Sequence, residues 1–195
     1  NSSGADTLAN GVHGVFISEG AHRNNIGGLS ADTGNTIAFN GFTGVVVADE
    51  GINNKLRFNS IYSNTLLGID LGQDGTTAND VGDADVGANR LQNFPVLNSA
   101  TLSGSNLQLS YFVDSAPVNS EYLILVDFYI ADGSGREGQT YLFSDEFTMV
   151  DFSAGSKLFT ALDVDLELGQ RIVATATEGG GLLSTSEFSF SVTVG

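Results

Sequence analysis

Apolar residues near the start of the chain come in short runs that recur behind Asn and Gly. Asn10-Gly11 with Gly14-Val15-Phe16-Ile17 is echoed by Asn40-Gly41 with Gly44-Val45-Val46-Val47, and again by Asn64 with Gly68-Ile69-Asp70-Leu71. Successive copies are offset by 30 and then 24 residues, and around the second junction the match widens. There Asn35, Ile37, Asn40, Gly44, Val45 and Val47 align with Asn59, Ile61, Asn64, Gly68, Ile69 and Leu71 at a constant shift of 24. No helical period runs through these units. Each reads as short strands separated by corners, where Asn and Gly tolerate tight or left-handed backbone. Units of this length predict about three coils of a parallel β-solenoid over residues 1–72. Ile37, Ile61, Val45 and Ile69 are expected to stack inside it, burying apolar surface at about 25 cal/mol per Å². Asn40 and Asn64 are expected at stacked corners, their amides bonding the backbone and the neighbouring coil. Solenoid coils touch only their neighbours and need a cap at each end. With no cap and no signal-like apolar run ahead of the first copy, the expectation is a piece of a longer exported chain.

From Pro95 onward the period becomes two. Leu107, Leu109, Tyr111 and Val113 alternate with polar residues, as do Phe147 and Met149, then Ile172, Ala174 and Ala176, then Phe188, Phe190, Val192 and Val194. Tyr122 to Ile130 is almost continuously apolar and predicts a central strand. Turn-forming clusters of Gly, Ser, Asp and Asn separate the runs. About seven short strands over residues 95–195 predict an antiparallel sandwich of immunoglobulin-like kind.

Between the two patterns lies an acidic junction, residues 73–94. Composition gives it weight: 23 acidic residues face 7 basic ones, for a net charge of −16, with 0 Cys and 0 Trp in 195 residues. Such a charge disfavours nucleic acid and anionic membrane surfaces as partners, and no run is long enough to span a bilayer. Lack of Cys excludes thiol nucleophiles, zinc-thiolate sites and disulfides. Oxygen ligands crowd the junction: Asp74, Asn79, Asp80, Asp83, Asp85 and Asn89, interrupted by Gly75, Gly82 and Gly87. Alternating Asp in a flexible loop suits Ca2+, which takes six to eight oxygens. The same residues also suit a solvated linker whose Asp and Asn cap turns.

The block Asn79-Asp80-Val81-Gly82-Asp83-Ala84-Asp85-Val86-Gly87-Ala88-Asn89, followed by Leu91-Gln92-Asn93-Phe94-Pro95-Val96-Leu97, resembles a junction in large bacterial surface or secreted proteins. Those proteins carry right-handed parallel β-helix repeats of the pectin-lyase-like kind, followed by an Ig-like module. The module's pattern is similar to Val126-Asp127-Phe128-Tyr129, Gly138-Gln139-Thr140-Tyr141-Leu142, the run Gly169 to Thr177, and Ser184-Thr185-Ser186-Glu187-Phe188-Ser189. The chain departs from the family in lacking a Cys pair in the sandwich and a Pro shortly after the junction's last Gly. The resemblance implies an all-β, extracellular bacterial protein and no particular activity.

Catalysis finds little footing. Asp49-Glu50 and Asp70 could share an exposed face as paired carboxylates for glycoside hydrolysis, but adjacent acidic residues at a coil edge are more often solvated surface. Lys55 and Arg57 lie on a strand with no acidic cluster near them in sequence, and His13 and His22 form no triad with a Ser. Sugar stacking would need exposed aromatics, for which Tyr62, Tyr129 and Tyr141 are the candidates. The expectation is a non-catalytic structural or adhesion module of a longer parent chain, stiffened by Ca2+. The alternatives are a polysaccharide-binding module or the C-terminal part of a polysaccharide-active enzyme.

Overall fold

The computed structural model describes residues 8–195, and they form an all-β protein with both parallel and antiparallel sheets. Seven strands of three residues come first: β1 (Val15–Ile17), β2 (Asn25–Gly27), β3 (Thr36–Ala38), β4 (Val45–Val47), β5 (Lys55–Arg57), β6 (Ser60–Tyr62) and β7 (Ile69–Leu71). β1, β4 and β7 form one parallel sheet, β2 and β5 a second, β3 and β6 a third. The chain thus visits three sheets in fixed rotation, and each visit pairs with the one before. Val15 stands opposite Val45, Val45 opposite Ile69, and Ile37 opposite Ile61.

The two repeat offsets have a local cause. β2 pairs with β5 at a shift of 30, whereas β3 pairs with β6 at 24. The six extra residues therefore lie between Gly27 and Thr36, where the first winding makes an excursion through a single 3-10 turn at Ala31–Thr33. Recurrent Gly at 14, 44 and 68 also has a reason. A Cβ on Gly44 would sit 2.6 Å from the Gly68 carbonyl oxygen, and one on Gly68 would sit 2.8 Å from the Phe188 ring.

Asparagines ladder the corners. The Asn10 main-chain N–H donates to Asn40 Oδ1 (3.1 Å), and the Asn40 N–H and Nδ2 both donate to Asn64 Oδ1 (3.1 and 2.8 Å). A second ladder joins Asn24 to Asn54 (3.0 and 2.9 Å), and a third joins Asn35 to Asn59 (3.1 and 3.0 Å). Each amide feeds a donor that a tight corner would otherwise strand away from water.

The antiparallel part has two sheets. β8 (Val96–Ser103), β9 (Asn106–Phe112) and β12 (Lys157–Ala161) run in the order β12-β9-β8; β10 (Ile124–Ala131), β11 (Gly138–Phe147), β13 (Arg171–Glu178) and β14 (Val192–Thr193) run in the order β11-β10-β13-β14. Leu107, Leu109, Tyr111 and Val113 are fully enclosed, as their alternation predicts, in one core with Val126, Phe128, Ala174 and Ala176. The opposite face of β10 and β13 is buried too. Tyr129 and Val173 share a second core with Ile37, Val45, Leu56, Ile61, Ile69 and Leu71 of the windings, joined by Phe188. Burial on both faces accounts for the nearly continuous apolar run in β10, which Asp127 alone interrupts.

Two stretches depart from the period-two expectation. Strand β11 stops at Phe147, because Thr148 caps a short helix, α1 (Met149–Ala154), in a reciprocal box with Asp151. Met149 is consequently exposed rather than inward. Phe188 leaves the alternation to enter the second core, Phe190 is exposed, and only Val192–Thr193 forms strand.

Candidate functional site

The last strand of each parallel sheet, β5, β6 and β7, should present an unpaired edge of N–H groups to whatever follows it. Side chains of the antiparallel part take that place. At β5, the Leu56 N–H donates to Thr185 Oγ1 (3.0 Å), the Asn53 N–H to Ser184 Oγ (3.2 Å) and the Phe58 N–H to the Tyr129 hydroxyl (3.2 Å). At β6, Ser60 Oγ donates to the Gln139 carbonyl (2.5 Å). At β7, the Leu71 N–H donates to Glu187 Oε1 (2.9 Å), while the Thr77 N–H donates to Oε2 (3.1 Å).

Two of the asparagine ladders are continued by residues outside the windings. Asn64 donates through its N–H to Glu137 Oε2 (2.9 Å) and through Nδ2 to Oε1 (2.8 Å), so a carboxylate stands where a fourth winding would set its Asn. The Asn54 N–H donates to Asn89 Oδ1 (2.9 Å), and Asn89 Nδ2 returns a bond to the Asn54 carbonyl (2.7 Å). The seam is pinned by one ion pair. Arg57 on β5 donates from Nε to Asp127 Oδ2 (2.7 Å) and from a terminal nitrogen to Oδ1 (2.6 Å). Arg57 thus has an acidic partner that its own stretch of sequence does not show.

Burial governs the electrostatics of this seam. It pushes the Glu137 carboxyl up to about 7, against the bonds from Asn64 that favour the charged form, with Asp132 adding to the rise. It pushes Glu187 up to about 8, against the Leu71 and Thr77 N–H groups and helped by the charges of Asp70 and Asp74. Both groups start from 4.5 in the unfolded chain. Between that value and 7 to 8 the folded protein holds more protons than the unfolded one, so stability is greatest on the acid side and falls as pH rises. We expect the urea midpoint at pH 5.5 to exceed that at pH 8.5 by an amount worth about 2 kcal/mol or more. A flat or rising profile would rule this electrostatic account out.

The six oxygen ligands of the junction separate into different roles. Asp80, Asp83 and Asp85 come together, each offering an oxygen within 4.8 Å of the others, and this group could hold a metal ion. Burial raises the Asp83 and Asp85 carboxyls above their ordinary value, and Asp80's charge adds to both. Asp83 is also a structural hub. Its Oδ1 accepts the Asn93 N–H (2.9 Å), and its Oδ2 accepts from Gln92 Nε2 (2.7 Å), Ser115 Oγ (2.7 Å) and Ser120 Oγ (3.1 Å). Asp85 keeps a buried oxygen, Oδ1, with no partner. Asp74 is not in that group, and the two asparagines have main-chain partners. Asn79 clamps the main chain of Phe94 with two bonds (3.0 and 2.8 Å), Asn89 extends a corner ladder, and Asp74 lies beside a cavity with Asp70.

Of the remaining candidates, Asp49 is a corner residue that accepts the Glu19 N–H (2.8 Å). His22 Nδ1 lies 3.1 Å from the Gly20 carbonyl, whereas His13 packs against Phe16 and Phe42. Tyr129 is buried at the seam instead of exposed, while Tyr62 and Tyr141 are half-buried. No helix is long and apolar enough to cross a membrane among the described residues. No protein-family model matches this chain, nor does any curated protein or solved structure.

Proposed function

We propose that this chain is the closing end of a right-handed parallel β-helix, terminated by an Ig-like β-sandwich, and that it serves as a non-catalytic structural or adhesion module. The observation that carries this reading is the Asn64–Glu137 pair, in which a sandwich carboxylate supplies both bonds that another winding would make. Closure of this edge would prevent strand-to-strand association at that end. The first winding is less enclosed: Val15 and Ile26 are only half-buried, while their counterparts Val45 and Leu56 are buried. A bacterial surface or secreted setting is part of this proposal and rests on the resemblance carried by the junction block Asn79 to Leu97.

Removing Glu187 tests the closure. Glu187→Ala should unmask the Leu71 and Thr77 N–H groups and give concentration-dependent association in light scattering, beyond any shown by the unaltered protein. A folded variant that associates no more than its parent would count against an edge-protecting role.

Calcium is part of the same proposal. Held by Asp80, Asp83 and Asp85, it would neutralise three crowded carboxylates beside the seam. Adding it to chelator-treated protein should raise the melting temperature by mass action, and Asp85→Ala should abolish the rise. Asp85 is the informative position because losing Asp83 would also strip four hydrogen bonds from the junction. An unchanged melting temperature would remove calcium from the account.

A further inference from the structure

On the outward face of the first parallel sheet, Phe16, Val46 and Asp70 stand one above another. Beside this column opens a cavity of about 710 Å³, within the size range of small-molecule sites. Its walls combine two kinds of surface that the seam does not use. One is apolar and open: Val12, Phe42 and Leu66 are 53%, 45% and 52% exposed. The other is polar and without partners. Thr43 Oγ1, Asp70 Oδ1 and His13 Nδ1 are buried atoms lacking any hydrogen bond, and Thr43 and Asp70 are 0% and 6% exposed. Leaving a buried polar group unpaired is costly, so three beside one cavity make a poor structural element and a prepared binding surface.

We infer that this cavity binds a neutral oligosaccharide. Sugar hydroxyls both donate and accept, which matches a wall where Asp70 only accepts, Arg136 only donates, and Thr43 can do both. The C–H face of a pyranose is apolar and flat enough to lie on the Phe42 ring. Charge selects among sugars. Asp70 and Asp74 face a single Arg136 across the cavity, within a chain of net charge −16, so a uronate or a phosphorylated sugar would be repelled. Burial raises the Asp70 carboxyl above its ordinary value and the charge of Asp74 adds to the rise, against the backbone amides of Gly75, Asp74 and Gln73. This inference is independent of the closure of the β5, β6 and β7 edges, and either can fail without the other.

The test is calorimetric titration of the intact chain with xylotetraose, cellotetraose and mannotetraose, with tetragalacturonate as the acidic comparison. At least one neutral tetrasaccharide should bind, and tetragalacturonate should bind at least about tenfold more weakly. Phe42→Ala, at an exposed position, should weaken binding by about tenfold or more with the fold intact. Asp70→Asn, which keeps the size of the side chain, should weaken it similarly with the fold intact. Three results would overturn the inference: no binding by any neutral tetrasaccharide, equal or tighter binding of tetragalacturonate, or affinities that neither substitution changes.

Discussion

Asp127→Ala should cost about 3–5 kcal/mol of unfolding free energy, the toll of stranding a buried charge. Asp127 is 0% exposed at its side chain and Arg57 only 11%. Two parallel hydrogen bonds join them, Ser144 bonds both, and the guanidinium lies 4.6 Å from the centre of the Phe58 ring. With the carboxylate gone, the guanidinium has little water to turn to. Arg57→Ala should be of similar size, because it leaves the carboxylate buried in the middle of β10. The double variant Arg57→Met/Asp127→Leu removes both charges and should recover most of the loss, since apolar replacement of a buried pair is often neutral. Urea unfolding of the four proteins compares a stranded charge with an apolar replacement of the pair. Single-variant losses below about 1 kcal/mol, as for a surface pair, would mean that the two parts of the chain are not docked through this bridge.

Asn64→Ala should be nearly as damaging, at about 4 kcal/mol. Its Oδ1 serves the N–H and Nδ2 of Asn40, while its Nδ2 serves the Ile37 carbonyl (3.1 Å) and Glu137 Oε1 (2.8 Å). Losing the side chain leaves donors and acceptors unpaired on two windings and removes a donor from a buried carboxylate. Asn59→Ala provides the internal comparison. Asn59 has the same ladder role toward Asn35 and bonds the Ile26 carbonyl (2.8 Å), but among the described residues no carboxylate is bonded to it. The expected order of loss is Asn64 above Asn59, read as midpoints in urea at pH 7. Equal losses would mean that Glu137 contributes nothing beyond an ordinary corner.

The parallel sheets are legible in sequence because the windings stack identical positions. Ile37 above Ile61 and Val45 above Ile69 repeat an inward β-branched residue at the same shift, and Asn40 and Asn64 repeat the same corner. The closure is not legible in that way, since it replaces like with unlike. Glu137 stands where an Asn would, and Asn89 follows Asn54 at a separation of 35, which matches neither 30 nor 24. Asn89 and Asn79 therefore look like members of an acidic loop when they are main-chain clamps. Two signals were present without a periodic pattern to frame them. Asp127 interrupts an apolar run, and a charge in a central strand needs a partner. Thr148 and Asp151 have the spacing of a helix start, so the strand ends there rather than continuing to Met149.

The claim that the antiparallel part closes the open edges of β5, β6 and β7 is tested most directly by amide hydrogen exchange at Leu56, Phe58, Asn64 and Leu71. Each of these N–H groups donates to a side chain of the antiparallel part and to no strand of another winding. If the closure is real, they should open only with the whole molecule, showing the same exchange free energy as core amides of β10 and β13. Exchange at those four sites about a hundredfold faster than in β10 and β13, with the core unaffected, would show an edge that stays open and would contradict the account.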